Sequence, residues 1–209
     1  MHKQKFPESF KASDFLMILK NNLCFTFIII FSVSSLLLCF PNLNAAWTAT
    51  SQNVESAFTS VFVHKDFTHL AANVMLAFVA LLAYSISSAI SGTRNGNFII
   101  LATWASAILA NLAYQKTIPC SISYGSSGLV SAFLSGVIII AYLNAWAEPA
   151  PRLKLAQFAI GTFLLAAFIA LNLDVSPDTN VTAHLSAFFN MAFLMLTKRF
   201  LSAFFSKTD

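Results

Sequence analysis

Six apolar stretches alternate with short polar ones along the chain, and each apolar stretch is close to the length that crosses a bilayer. A helix rises about 1.5 Å per residue, so about 17 to 25 apolar residues span the hydrocarbon core. The pattern predicts spans over 23–40, 69–90, 98–114, 127–146, 155–173 and 183–201. Pro41 ends the first, and a Ser91-Gly92-Thr93-Arg94-Asn95-Gly96-Asn97 turn follows the second. Pro149 and Pro151 stiffen the connection after the fourth, and a polar loop over 174–182 precedes the sixth. Residues 41–67 are too polar to span, carry Trp47, Phe58, Phe62 and Phe67 with only three charges, and suit the membrane interface. There is no internal repeat and no low-complexity segment.

Composition agrees with the pattern. Of 209 residues, 57% are apolar and 10% charged, and the mean hydropathy is +0.73. These values define an all-α membrane protein that uses almost the whole chain for one bundle, leaving 1–22 as a basic N-terminal tail and 202–209 as a C-terminal tail around a 23–201 membrane domain. The basic start and apolar run have the outline of a signal peptide, with Asn44-Ala45-Ala46 as a cleavage site. The run exceeds a usual signal-peptide core, which reads as an uncleaved first span.

The net charge of +4 is a topology signal rather than a nucleic-acid footprint, because the basic residues flank the spans. With six spans both termini share a side, and that side holds ten of the twelve Lys and Arg. Only Lys65 and Lys116 lie opposite. Both termini are therefore expected in the cytoplasm, with the loops near Phe67, Ser127 and Thr182 on the outer face. Basic inner loops and minimal length point to a prokaryotic inner membrane. Cys24 and Cys39 read as small apolar packers, and Cys120 as a free thiol on the loop before the fourth span.

The candidate chemistry gathers at the outer ends of the spans. Gly125-Ser126-Ser127-Gly128 sits where a polar segment turns into the fourth span, so Ser127 opens a helix. His64 and His69 precede or open the second span, and His184 opens the sixth. Ionisable side chains at membrane depth are costly and mark functional sites. His69 and Asn73 are four apart, on one helix face, and two such donors aimed at one spot suit a developing oxyanion, with the backbone N–H of Ser127 as a third. Read without a partner, Ser127 is a helix cap, His69 and Asn73 an interhelical hydrogen-bond pair, and His64 an interfacial histidine. A metal site of His64, His69 and His184 lacks any carboxylate or cysteine at ligand spacing, and HExxH is absent, so neither metal nor cofactor is expected.

The order His64-x4-His69-x3-Asn73, then Gly125-Ser126-Ser127-Gly128, then Ala183-His184 resembles the rhomboid family of intramembrane serine proteases, from the second span to the sixth. The resemblance implies a six-span rhomboid-like bundle in which Ser127 is the nucleophile and His184 its general base, a dyad without aspartate. It implies an oxyanion hole of His69, Asn73 and Ser127, structural support from His64, and transmembrane proteins as substrates within the lipid bilayer. Gly125 and Gly128 are expected to allow a tight backbone and close helix approach at Ser127. Register favours Ser127 over Ser126, the fallback. The sequence departs from the family pattern at Glu55-Ser56, where many members have Trp-Arg, and at Ser131, where bacterial members often have tyrosine. Ala187 and Met191 replace small glycines after the last histidine, and Met191 is expected to hinder close packing. The alternatives are a rhomboid-like protein that binds transmembrane helices without cutting them, and a small transporter, for which neither inverted repeats nor broken helices are present.

Overall fold

Helix boundaries follow the breaks in the apolar pattern. The computed structural model describes residues 22–46, 49–50, 55–92, 96–117, 122–123, 125–173 and 180–205. The basic tail, Trp47, Arg94, Cys120, Asp174, Asp178 and Lys207 lie outside them. In chain order the elements are α1 (Asn22–Leu38), α2 (Pro41–Ala46), β1 (Ala49–Thr50), α3 (Ser56–Thr59) with a 3-10 turn Ser60–Phe62, α4 (Phe67–Ser91), α5 (Gly96–Thr117), β2 (Ile122–Ser123), α6 (Ser127–Ala147), α7 (Pro151–Leu173) and α8 (Val181–Phe205). Helices α4 to α8 are long and apolar enough to cross a membrane, and α1 is a shorter apolar helix. The all-helical bundle expected from the sequence is thus present. Among the described residues two short strands pair antiparallel, with Ala49 opposite Ser123 and Thr50 opposite Ile122, which ties the connection between α1 and α4 to the segment before Ser127.

Several spans run further than their apolar stretch. Helix α5 covers Gly96–Thr117 rather than 98–114, α7 begins at Pro151 rather than 155, and α8 continues to Phe205 rather than stopping at Leu201. Near the end of α8 the Lys198 ammonium stands over the ring of Phe98 on α5, 4.3 Å from its centroid. Helix α4 stops at Gly92, whose φ of 68° supplies the left-handed cap and whose N–H bonds Ser88 O.

Helix α6 is the axis of the bundle. Over its most apolar window 78% of residues are buried, against 39% or less in the other long spans, and it packs against α4, α5, α7 and α8. Its apolar residues run all round, the signature of a buried helix. Contact with α8 is close enough for Ser135 Oγ to donate to the Phe188 carbonyl at 2.7 Å. The expected hindrance at Met191 does not occur. Met191 is fully buried, with its Cε lying where a side chain on Gly136 would stand. A small residue on one helix accepts a large one on the other. At Gly128 the close helix approach expected there is not seen, because a side chain on it would meet nothing within 4 Å among the described residues.

At the end of the bundle far from Ser127, the buried Gln157 joins α7 to α4. It accepts from Ser87 Oγ at 2.6 Å and donates to Ser87 O at 2.9 Å. Asn144 of α6 donates to Ser87 Oγ and Ser91 Oγ at 3.2 and 3.0 Å. Satisfied polar contacts of this kind hold helices together where lipid gives no hydrophobic drive.

Candidate active site

Three short-range devices bring the polar ends of the helices into register. Asp66 caps α4 by accepting the N–H of His69 at 2.8 Å. Asn180 caps α8 by accepting the N–H of Ala183 at 2.9 Å, and its carbonyl accepts the N–H of His184. Each cap puts a histidine in the first turn of its helix. The third device is Gly125, whose φ of 107° turns the chain into α6 and whose N–H bonds the Ser60 carbonyl at 3.0 Å. Only glycine adopts that backbone without strain.

The loop between α1 and α4, which departs from the family pattern at Glu55-Ser56, is pinned to α5 by two amide side chains. Asn111 Nδ2 donates to Ala57 O at 3.2 Å and Ser60 Oγ at 3.1 Å. Gln115 Nε2 donates to Ser56 Oγ at 3.3 Å. Asn111 and Gln115, four apart in an apolar span, were not singled out from the sequence. Their spacing was the available signal.

Around this frame Ser127, His184 and His69 meet. His184 Nε2 lies 2.7 Å from Ser127 Oγ. The His69 ring stands over Gly125, so close that a Cβ on Gly125 would be 2.8 Å from His69 Cε1 and 3.5 Å from Ser127 Oγ. Asn73, one turn further along the same face of α4, is buried, and its Nδ2 has no hydrogen-bond partner among the described residues. A buried amide donor left unsatisfied costs about 1–3 kcal/mol, so it marks a position that an acceptor would stabilise.

His64 and Ser126 form a second pair behind the first. His64 is fully buried, not facing water. Its Nε2 is 3.0 Å from Ser126 Oγ and 3.4 Å from Ser126 N, and its Nδ1 is 3.3 Å from Phe62 O. The carbonyl only accepts, so Nδ1 carries the proton and Nε2 accepts from Ser126. Burial holds the His64 ring well below its usual range, at about 4, with the neighbouring His69 adding to the effect. The His64 and His69 rings touch edge to face at 5.2 Å. Ser126 is itself fully buried, whereas Ser127 is half-buried.

His184 has a further neighbour that sequence reasoning missed. Asn172, near the end of α7, places Oδ1 3.1 Å from His184 Nδ1. Among the described residues no three His, Cys, Asp or Glu side chains are grouped to hold a metal ion.

The fold and site define a multi-pass helical membrane protein with a serine–histidine pair at one end of its central helix. A family model, the Rhomboid domain, matches residues 51–199, and the chain belongs to the rhomboid family, within the intramembrane protease superfamily. Comparison with curated proteins and with solved structures gave no significant match.

Proposed function

We propose that the chain is an intramembrane serine endopeptidase that cuts peptide bonds within or beside transmembrane segments of other proteins. The observation that carries this reading is the 2.7 Å approach of His184 Nε2 to Ser127 Oγ at a half-buried, open-sided helix start. Ser127 Oγ attacks the scissile carbonyl while His184 Nε2 takes its proton, and the imidazolium then protonates the leaving amine. The resulting acyl-enzyme is hydrolysed by water activated by the same histidine. The negative oxygen of each tetrahedral intermediate is met by His69, by the Asn73 Nδ2 donor and by the first-turn N–H of Ser127, which no intrahelical bond uses. Gly128, over which none of the described residues packs, supports a reading in which an unwound substrate strand lies beside the nucleophile.

A helical substrate shields its own carbonyls, so the preferred segments carry helix-destabilising residues and a small residue before the cut. The count of Lys and Arg supports cytoplasmic termini and a site on the outer side of the membrane. The test is cleavage in proteoliposomes of single-span proteins whose helices contain Gly-Pro or Gly-Ala interruptions. Wild type is expected to release two fragments, and Ser127→Ala and His184→Ala none. A folded wild type that binds such helices and cuts none of them would establish the helix-binding alternative instead.

A further inference from the structure

The histidine that faces Ser127 is held from its far side by an amide on a different helix. Helices α7 and α8 meet through side chains rather than close backbone packing, and two rungs bridge them. Phe168 stacks on Phe188 with centroids 4.3 Å apart and planes at 23°. One turn along each helix, Asn172 faces His184, its Oδ1 3.1 Å from Nδ1. Because the helices run in opposite directions, 168 pairs with 188 and 172 with 184. The aromatic rung thus sets the separation at which the polar rung closes.

The amide's orientation follows from its other contact. Asn172 Nδ2 is 2.8 Å from the Phe168 carbonyl, which accepts only, so the nitrogen end of the amide belongs there. Oδ1 therefore points at His184, and an amide oxygen also accepts only. His184 must then carry its proton on Nδ1, which leaves the Nε2 lone pair directed at the Ser127 hydroxyl. A chain of one-way hydrogen bonds, from Ser127 through His184 and Asn172 to Phe168 O, selects the tautomer able to act as a base.

We infer that Asn172 is a positioning residue for the Ser127–His184 pair, fixing His184 in its Nδ1–H tautomer and steadying the imidazolium formed when Ser127 attacks. The inference deepens the protease reading and rests on it for the reaction, though the tautomer it assigns exists without any substrate. As His184 gains a proton, its Nδ1–H bond to Asn172 becomes charge-assisted and strengthens. Among the described residues, the charge that acts on His184 is that of His69 on α4; the facing groups from α6 and α7, Ser127 and Asn172, are neutral.

The test uses the full chain in detergent and two variants, Asn172→Ala and Asn172→Asp, each checked for folding by its melting temperature. Nitrogen-15 NMR of labelled histidine, with His184 assigned by its absence in His184→Ala, reads the tautomer directly. Wild type and Asn172→Asp should show a pyrrole-type Nδ1 and pyridine-type Nε2 at His184, and Asn172→Ala a mixture. In cleavage, Asn172→Ala should lower kcat by about 10- to 100-fold with KM nearly unchanged, the loss of one hydrogen bond to a charged group. Asn172→Asp, which puts a carboxylate against Nδ1–H, should recover rate relative to Asn172→Ala and move the acidic limb of the pH profile to higher pH. Identical His184 spectra in wild type and Asn172→Ala would overturn the inference. A wild type with the assigned tautomer but no cleavage of any substrate would overturn the protease reading and leave the tautomer assignment standing.

Discussion

Gly125→Ala concentrates two independent costs at one atom. The first is in the backbone: at φ of 107° a residue with a Cβ is strained by about 1–3 kcal/mol, which melting or denaturant titration would read as lost stability. The second is steric, since the new methyl would stand 2.8 Å from His69 Cε1 and 3.2 Å from Nε2, well inside van der Waals contact. The imidazole has little freedom to move, because the fully buried His64 ring packs edge to face against it at 5.2 Å, and His64 is in turn bonded to Ser126. Relief must come from turning His69 or from shifting the loop that carries Ser127, and either change removes one aligned donor from the oxyanion. Loss of one such donor is worth about 100- to 1000-fold in rate. The second-order rate of labelling by a fluorophosphonate, which forms a tetrahedral oxyanion analogue on the serine, should therefore fall by about 100-fold or more. Melting should show that most of the protein is still folded under the assay conditions. A variant that labels at the wild-type rate, or whose deficit equals its unfolded fraction, would refute the convergence of His69, Gly125 and Ser127.

Asn73→Leu removes a buried amide with no hydrogen bond to lose, so melting should hold or rise while the labelling rate drops by about 100-fold; a marked fall in stability would contradict the reading of Asn73 as an unsatisfied donor. Gly136→Ala drives a methyl into the buried Met191 side chain and should cost about 1–3 kcal/mol by denaturant titration, recovered in part by Met191→Ala in the same chain. His64 supplies a pH dependence: the unfolded chain takes up its proton near pH 6.5 and the folded chain only near about 4. Its contribution is therefore complete above about pH 6.5 and declines by about 3 kcal/mol as the pH falls to about 4. Melting temperatures across that window should slope less in His64→Asn than in wild type.

The spans were legible because lipid permits only one solution for a long apolar run, a helix with its backbone bonds satisfied internally. Their ends were less so. Helix α5 runs on to Thr117 and α8 to Phe205, past the last strongly apolar residues, and hydropathy alone does not mark where a helix stops. Ser127, His184, His69 and Asn73 stand out as polar residues near the starts of apolar helices, and the structure brings the first three of them to one point. What the sequence hid was pairwise fit. Met191 reads as an obstacle until Gly136 is seen opposite it. Gly128 reads as a packing glycine until its surroundings prove open. Asn172, Asn111 and Gln115 act through partners on other helices or loops, and local sequence does not indicate which helix faces which. His64 was the least distinctive histidine, and burial rather than motif gives it a partner in Ser126.

The central claim concerns which serine is the nucleophile, because two serine–histidine pairs lie side by side in one turn. Purified protein in detergent should be reacted with a fluorophosphonate, digested and sequenced by mass spectrometry, alongside Ser126→Ala, Ser127→Ala and His184→Ala. An adduct on Ser127 is expected in wild type and in Ser126→Ala, and none in Ser127→Ala or His184→Ala. An adduct on Ser126, or a folded wild type that takes no label, would contradict it.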